Sequence, residues 1–161
     1  MTLTIGSKIP KLEITTKTSE GLDIINTENY FSGRKIIVFS VPGAFTPTCS
    51  VKHLPGFLNA TDQLKEKNIE KVICVSVNDP FVMDAWGKTH NVENKILMVA
   101  DYKANFTKSI GAELDLNKRG LGIRSSRYTM LVEKGNIVKI VEEETAGKCE
   151  STAAENFLKV I

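Results

Sequence analysis

Six short runs of β-branched and apolar residues punctuate the chain, at residues 11–16, 35–41, 71–77, 95–100, 127–133 and 136–142. Each is strand-sized, and most are bounded by Gly, Pro, Asn or Asp. Helical stretches lie between them: one from 46 to about 67, broken near 59–61, then 80–90, 103–109 and a last one at 151–160. Asp79 before Pro80 marks a helix start, because Asp accepts from the orphan N–H groups of a first turn and Pro fits the first helical position. Glu133, Lys134, Gly135 and Asn136 form a tight turn, so the last two strands should be an antiparallel hairpin. Strands alternating with helices, then a hairpin and a closing helix, predict an α/β sandwich on a mixed central sheet. The chain has 161 residues, 42% hydrophobic, without a linker or repeat, which fits one domain over 1–161.

Lys and Arg number 21 against 19 Asp and Glu, a net charge of +2. That balance gives no electrostatic case for nucleic acid or an acidic membrane surface. The apolar run at 35–41 is far shorter than the roughly 20 residues of a membrane span. Residues 1–8 lack the charged-then-apolar pattern of a signal peptide, and cytoplasm is the expected address. Cys49, Cys74 and Cys149 are too few and too scattered for a disulfide-stapled secreted domain. Together with His53 and His90 they show no metal-ligand spacing, so neither a metal nor another cofactor is expected. In a reducing compartment such thiols are either inert core residues or chemically active.

Position separates these alternatives for Cys49. Pro42 and Gly43 end the strand at 35–41, and Thr46 with Pro47 reads as an N-cap followed by a first helical residue. Cys49 then falls in the first helical turn, where unpaired N–H groups and the positive end of the helix dipole favour a thiolate. A small buried hydrophobe is the plain alternative for any lone cysteine. It does not explain a hydroxyl N-cap three residues before the thiol.

Here the residues match a family. Pro42-Gly43-Ala44-Phe45-Thr46-Pro47-Thr48-Cys49 resembles the active-site motif of the peroxiredoxins, whose core pattern is Pro-x-x-x-Thr-x-x-Cys. The longer form is similar to the atypical class that includes peroxiredoxin-5 proteins and plant type II peroxiredoxins. Further matches are Lys52-His53-Leu54-Pro55-Gly56-Phe57, residues 75–83 with Ala85 and Trp86, and residues 120–128. The order of elements is also that of thioredoxin-like folds. The resemblance implies a thiol-dependent peroxidase of antioxidant defence, acting on hydrogen peroxide and alkyl hydroperoxides through a sulfenic acid on Cys49. It assigns the activating cation to Arg127, with Arg124 the second candidate. Thr46, one turn before Cys49, can both donate and accept hydrogen bonds and so orient the peroxide. Pro42 offers an apolar wall without a backbone donor, although strand termination alone would account for it.

The sulfenic acid needs a second thiol. Cys149 lies in a polar, exposed-looking loop, the region where peroxiredoxin-5 proteins carry a resolving cysteine. Cys74 lies in a buried-looking strand, as an inert core thiol would, yet plant type II members use a cysteine in this block. Thioredoxin, or glutathione with glutaredoxin, could also attack the sulfenic acid directly. The resemblance further implies a homodimer near the active-site loops, with Phe45 at the contact. Other activities fit less well. A thioredoxin-like disulfide oxidoreductase needs a thiol where Thr46 stands, and a cysteine hydrolase needs a histidine base, for which His53 lacks an orienting partner and reads as helix packing. A redox sensor would share an activated Cys49 and differ only in turnover. Residues 142–144 and Lys118 with Arg119 read as solvated turn charges.

Overall fold

In the computed structural model, which describes all residues from Met1 to Ile161, the strand β3 (Lys35–Ser40) is buried from Ile36 onward. A strand apolar on both faces belongs in the middle of a sheet covered on both sides. It pairs in parallel with β4 (Lys71–Ser76) and antiparallel with β8 (Tyr128–Glu133). β4 continues in parallel to β5 (Leu97–Ala100). The hairpin of β1 (Glu13–Thr18) and β2 (Gly21–Asn26) closes one edge, and β9 (Asn136–Glu142) closes the other. The result is a seven-stranded mixed sheet in the order β2-β1-β5-β4-β3-β8-β9.

Because side chains alternate along a strand, β3 feeds two cores. Ile37, Phe39 and Val41 face a layer holding Cys49, Leu54, Phe57, Met83, Trp86 and Phe157. It is supplied by α2 (Leu54–Asn59), α3 (Thr61–Glu66), α4 (Pro80–Thr89) and α6 (Ala154–Phe157). Ile36 and Val38 face the other, with Phe31 of α1 (Thr27–Phe31) and Phe106 of α5 (Asn105–Ser109). No helix is long and apolar enough to cross a membrane.

Local signals place most elements as expected. The Asp79 side chain accepts from Val82 N at 2.9 Å, capping α4. The β8–β9 turn has positive φ at Lys134 (52°) and Gly135 (81°), the primed geometry that matches strand twist. Five elements depart from the sequence reading. β2 and α1 went unseen because β2 is an exposed edge strand, held only by its hairpin partner. A separate hairpin of β6 (Glu113–Leu116) and β7 (Gly122–Ser125) occupies what reads as a glycine-rich loop. The closing helix spans Ala154–Phe157 rather than 151–160.

Candidate active site

β3 delivers the chain to the site. Val41 N still bonds to Val75 O at 3.1 Å, and Pro42 then ends the strand. Residues 43–46 turn over the end of β4, where Asn78 Oδ1 accepts from Ala44 N at 3.0 Å and from Ser76 Oγ at 2.6 Å. Phe45 holds φ at 63° in this turn. A Cβ on Gly43 would sit 3.1 Å from Thr46 Cγ2 and 3.2 Å from Arg124 Nη1, so any larger residue would push these two side chains aside by a few tenths of an ångström.

The helix that follows begins at Pro47, and Cys49–His53 form a π-helical turn before α2. Such bulges occur often at functional sites, and this one turns both Cys49 and His53 inward, each fully buried. Thr46 occupies the N-cap position, but its hydroxyl caps no backbone N–H. Oγ1 lies 2.6 Å from Gly43 O and 2.9 Å from Cys49 Sγ.

Arg127 arrives from across the sheet. It precedes Tyr128, whose partner in the ladder is Ser40, the last residue of β3. Its Nη2 lies 3.2 Å from Cys49 Sγ and donates to Ala146 O at 3.0 Å. The side chain is 1% exposed, and its Nε, also buried, has no partner. None of the ion pairs in the structure involves it. A guanidinium stays charged, and a buried charge without a counter-ion is strongly unfavourable. Among the groups it touches, only the Cys49 sulfur can become an anion.

His53 completes the surround, packed against the stacked rings of Phe39 and Phe57 at ring distances of 4.8 and 5.7 Å. Arg127 Nη1 lies 3.0 Å from its Nδ1. Arginine only donates, so Nδ1 accepts and the imidazole proton sits on Nε2. That nitrogen faces Thr129 Oγ1 at 3.3 Å, and Thr129 in turn donates to Thr152 O at 2.8 Å. Burial first, and the Arg127 charge second, hold His53 well below the usual histidine range, against a smaller opposing effect of the Thr152 backbone. The helix-packing role expected of His53 is present, and the contact with Arg127 adds to it. Sequence gave no sign of that contact.

The other candidates separate clearly. Pro42 is buried and, with Thr46, Arg127, Leu116 and Leu121, lines a cavity of about 270 Å³. Arg124 on β7 donates from Nε to Leu121 O at 2.7 Å and packs against Gly43, without reaching Cys49. Cys74 lies fully buried in β4, and burial, then its nearness to Cys49, push its thiol well up. Cys149 contradicts its reading as an exposed loop thiol: it is 2% exposed, beneath Thr152 Oγ1 at 3.8 Å, and burial raises its thiol too. All three cysteines are free. Glu143 is no plain solvated charge either. Its Oε1 accepts from the backbone N of Glu150 and Thr152 and from the hydroxyls of Ser151 and Thr152. Its partners lie seven to nine residues away in irregular chain, where no periodicity could reveal them.

Comparison with known proteins gives a consistent result. The redoxin family pattern matches residues 4–158. Peroxiredoxin-2D of Arabidopsis thaliana is 41% identical over 160 residues, 99% of this chain and 98% of its own. The reduced Prx3 of Vibrio vulnificus in complex with hydrogen peroxide superposes with a TM-score of 0.92 at 41% identity, covering 98% of each chain. Peroxiredoxin 5 of Alvinella pompejana gives a TM-score of 0.85 at 36% identity, over 98% of this chain and 96% of that one. With likeness of this extent, in sequence and in fold, the chain belongs to the redoxin family and is a peroxiredoxin, an enzyme that reduces hydroperoxides with thiols.

Proposed function

We propose that Cys49 is the attacking thiolate, with Arg127, Thr46 and Pro42 as the groups that serve it. The observation that carries this reading is the buried Arg127 guanidinium, which has the Cys49 sulfur and no carboxylate beside it. The sulfur attacks one peroxide oxygen, the O–O bond breaks, and the departing oxygen takes a proton to leave as water or an alcohol. Cys49 is left as a sulfenic acid. The unpartnered Arg127 Nε is a free donor for the oxygen on which negative charge develops. When Thr46 gives its single proton to Gly43 O, its lone pairs face the site and can accept from the peroxide O–H. The mostly apolar surround of Pro42, Leu116 and Leu121 suits an alkyl hydroperoxide as well as hydrogen peroxide.

A second thiol then displaces water from the sulfenic acid to give a disulfide, which a further thiol reduces. Cys149, thioredoxin, or glutathione with glutaredoxin supplies these electrons, and the reaction needs no bound cofactor. A cytoplasmic setting keeps such thiols reduced. Phe45 in the braced turn and Phe81 in the first turn of α4, 53% and 64% exposed, suit a homodimer contact.

Replacing Cys49 by Ser tests the reading. Peroxide consumption should vanish while the circular dichroism spectrum is kept; a fully active variant would overturn the assignment. Steady-state assays of wild type and Cys149→Ser with either reductant system identify the electron donor.

A further inference from the structure

The groups that hold Arg127 depend on a segment with no regular structure of its own. Between β9 and α6 the chain forms neither helix nor strand. Even so, Ala146 O accepts from Arg127 Nη2 at 3.0 Å, Gly147 O accepts from Thr48 Oγ1 at 3.1 Å, and Thr152 O accepts from Thr129, the neighbour of His53. Little inside the segment fixes this shape. It contains one backbone bond from Lys148 N to Thr145 O, another from Ala153 N to Glu150 O, and an exposed 3.9 Å pair of Lys148 with Glu144.

Glu143 supplies what is missing. Its N–H donates to Arg127 O at 2.9 Å, tying the start of the segment to the backbone of the active-site arginine. Its carboxylate gathers the far end: Oε1 accepts from Glu150 N at 2.7 Å, Thr152 N at 2.9 Å, Thr152 Oγ1 at 2.9 Å and Ser151 Oγ at 3.2 Å. Bonds to a charged acceptor are stronger than neutral ones. One side chain therefore closes a loop whose interior carries the Ala146 carbonyl and Cys149.

We infer that Glu143 is a positioning residue of the peroxidase centre, holding residues 144–152 closed so that Arg127 stays turned toward the Cys49 sulfur and Cys149 stays covered. The inference rests on the role proposed for Cys49 and Arg127. Glu143 touches no reacting atom, so its effect must pass through Arg127 and through access to Cys149.

Its test compares Glu143→Gln, which keeps an acceptor oxygen in place, Glu143→Asp, which withdraws it by one methylene, and Glu143→Leu, which removes it. Alkylation of each cysteine by iodoacetamide at neutral pH is read by peptide mass spectrometry, without peroxide. Cys149 in Glu143→Leu should react at least roughly tenfold faster than in wild type, because the covering segment has lost its charged acceptor. The second-order rate of Cys49 with hydrogen peroxide should fall by at least about tenfold through displacement of Arg127. Glu143→Gln, which keeps the acceptor oxygen without its charge, should fall between wild type and Glu143→Leu on both readouts, a partial rescue that general loss of stability would not produce. Should Glu143→Leu fail to fold, Glu143→Asp should move both rates in the same directions by a smaller factor. Wild-type rates in either Leu or Asp variant would overturn the inference. A wild-type protein inert to peroxide would instead refute the role given to Cys49, and the Cys149 alkylation would still decide for or against Glu143.

Discussion

Arg127 and Cys49 are a buried couple, with Nη2 3.2 Å from Sγ and no carboxylate sharing the guanidinium. In the role proposed for Cys49, the sulfur would be both the group activated and the one group beside the arginine able to carry a negative charge. Replacing Arg127 by Leu should slow reaction with peroxide by about 10²–10³, the usual cost of removing a donor aimed at developing negative charge. Stability should show the same coupling. Unfolding of Cys49→Ala, Arg127→Leu and the double variant should reveal an interaction on the order of 1–3 kcal/mol, the double being less damaging than the two single losses added. Strict additivity would mean that the two groups do not share a charge.

His53 gives the couple a signature in pH. Its folded-state pKa is depressed by burial and by Arg127, so between that value and about 6.5 the unfolded chain binds more protons than the folded one. The contribution is complete above about 6.5 and is lost as the pH falls toward the folded-state value. Urea unfolding of wild type and His53→Gln across this range should show a slope present in the first and absent in the second. Gln can accept from Arg127 and donate to Thr129 as the neutral imidazole does, so peroxide reduction should be largely kept. A slope equal in both proteins would place the titration elsewhere.

Thr46 separates nucleophilicity from peroxide handling. Its hydroxyl lies between Gly43 O and Cys49 Sγ, where it can orient a peroxide but adds no charge to the sulfur. Thr46→Val should slow peroxide reduction by about 10²-fold, while alkylation of Cys49 by iodoacetamide changes little. Thr46→Ser should restore most of the activity. Equal losses in both reactions would make Thr46 a structural residue.

These relationships were legible in the sequence only where they are local. Thr46 and Cys49, three residues apart on a helix start, could be read directly, as could the Asp79 cap and the Glu133–Asn136 turn. The match of 120–128 to the family pattern supplied Arg127, which physical patterning alone could not. His53 was legible as a core residue, but its link to Arg127 spans 74 residues and depends on sheet register. Glu143 looked like one of three adjacent glutamates until the fold brought residues 150–152 back to it. The burial of Cys149 escaped for the same reason: a polar, irregular stretch carries no period from which burial can be read.

The burial of Cys149 also changes the grounds for expecting it to resolve the sulfenic acid. Exposure does not distinguish it from Cys74, since both are buried. Mobility does. Cys74 pairs with Phe39 on one side and Met98 on the other, within the central ladders of the sheet. Bringing it to Cys49 would disrupt β4 between two parallel neighbours. Cys149 lies in a segment outside regular structure that side-chain bonds, Glu143's foremost, gather, so a local opening frees it, and entry into water relieves the burial that raises its thiol. A disulfide requires the two Cα atoms within about 7 Å, which the π-turn at Cys49 and the loop can meet together by loosening locally. Peptide mapping under non-reducing conditions, after one equivalent of peroxide, should therefore show a Cys49–Cys149 disulfide. Cys74→Ala should retain thioredoxin-supported turnover, whereas Cys149→Ser should lose it and depend on glutathione. Loss of turnover in Cys74→Ala with its fold intact, or a Cys49–Cys74 disulfide in the map, would reverse the assignment.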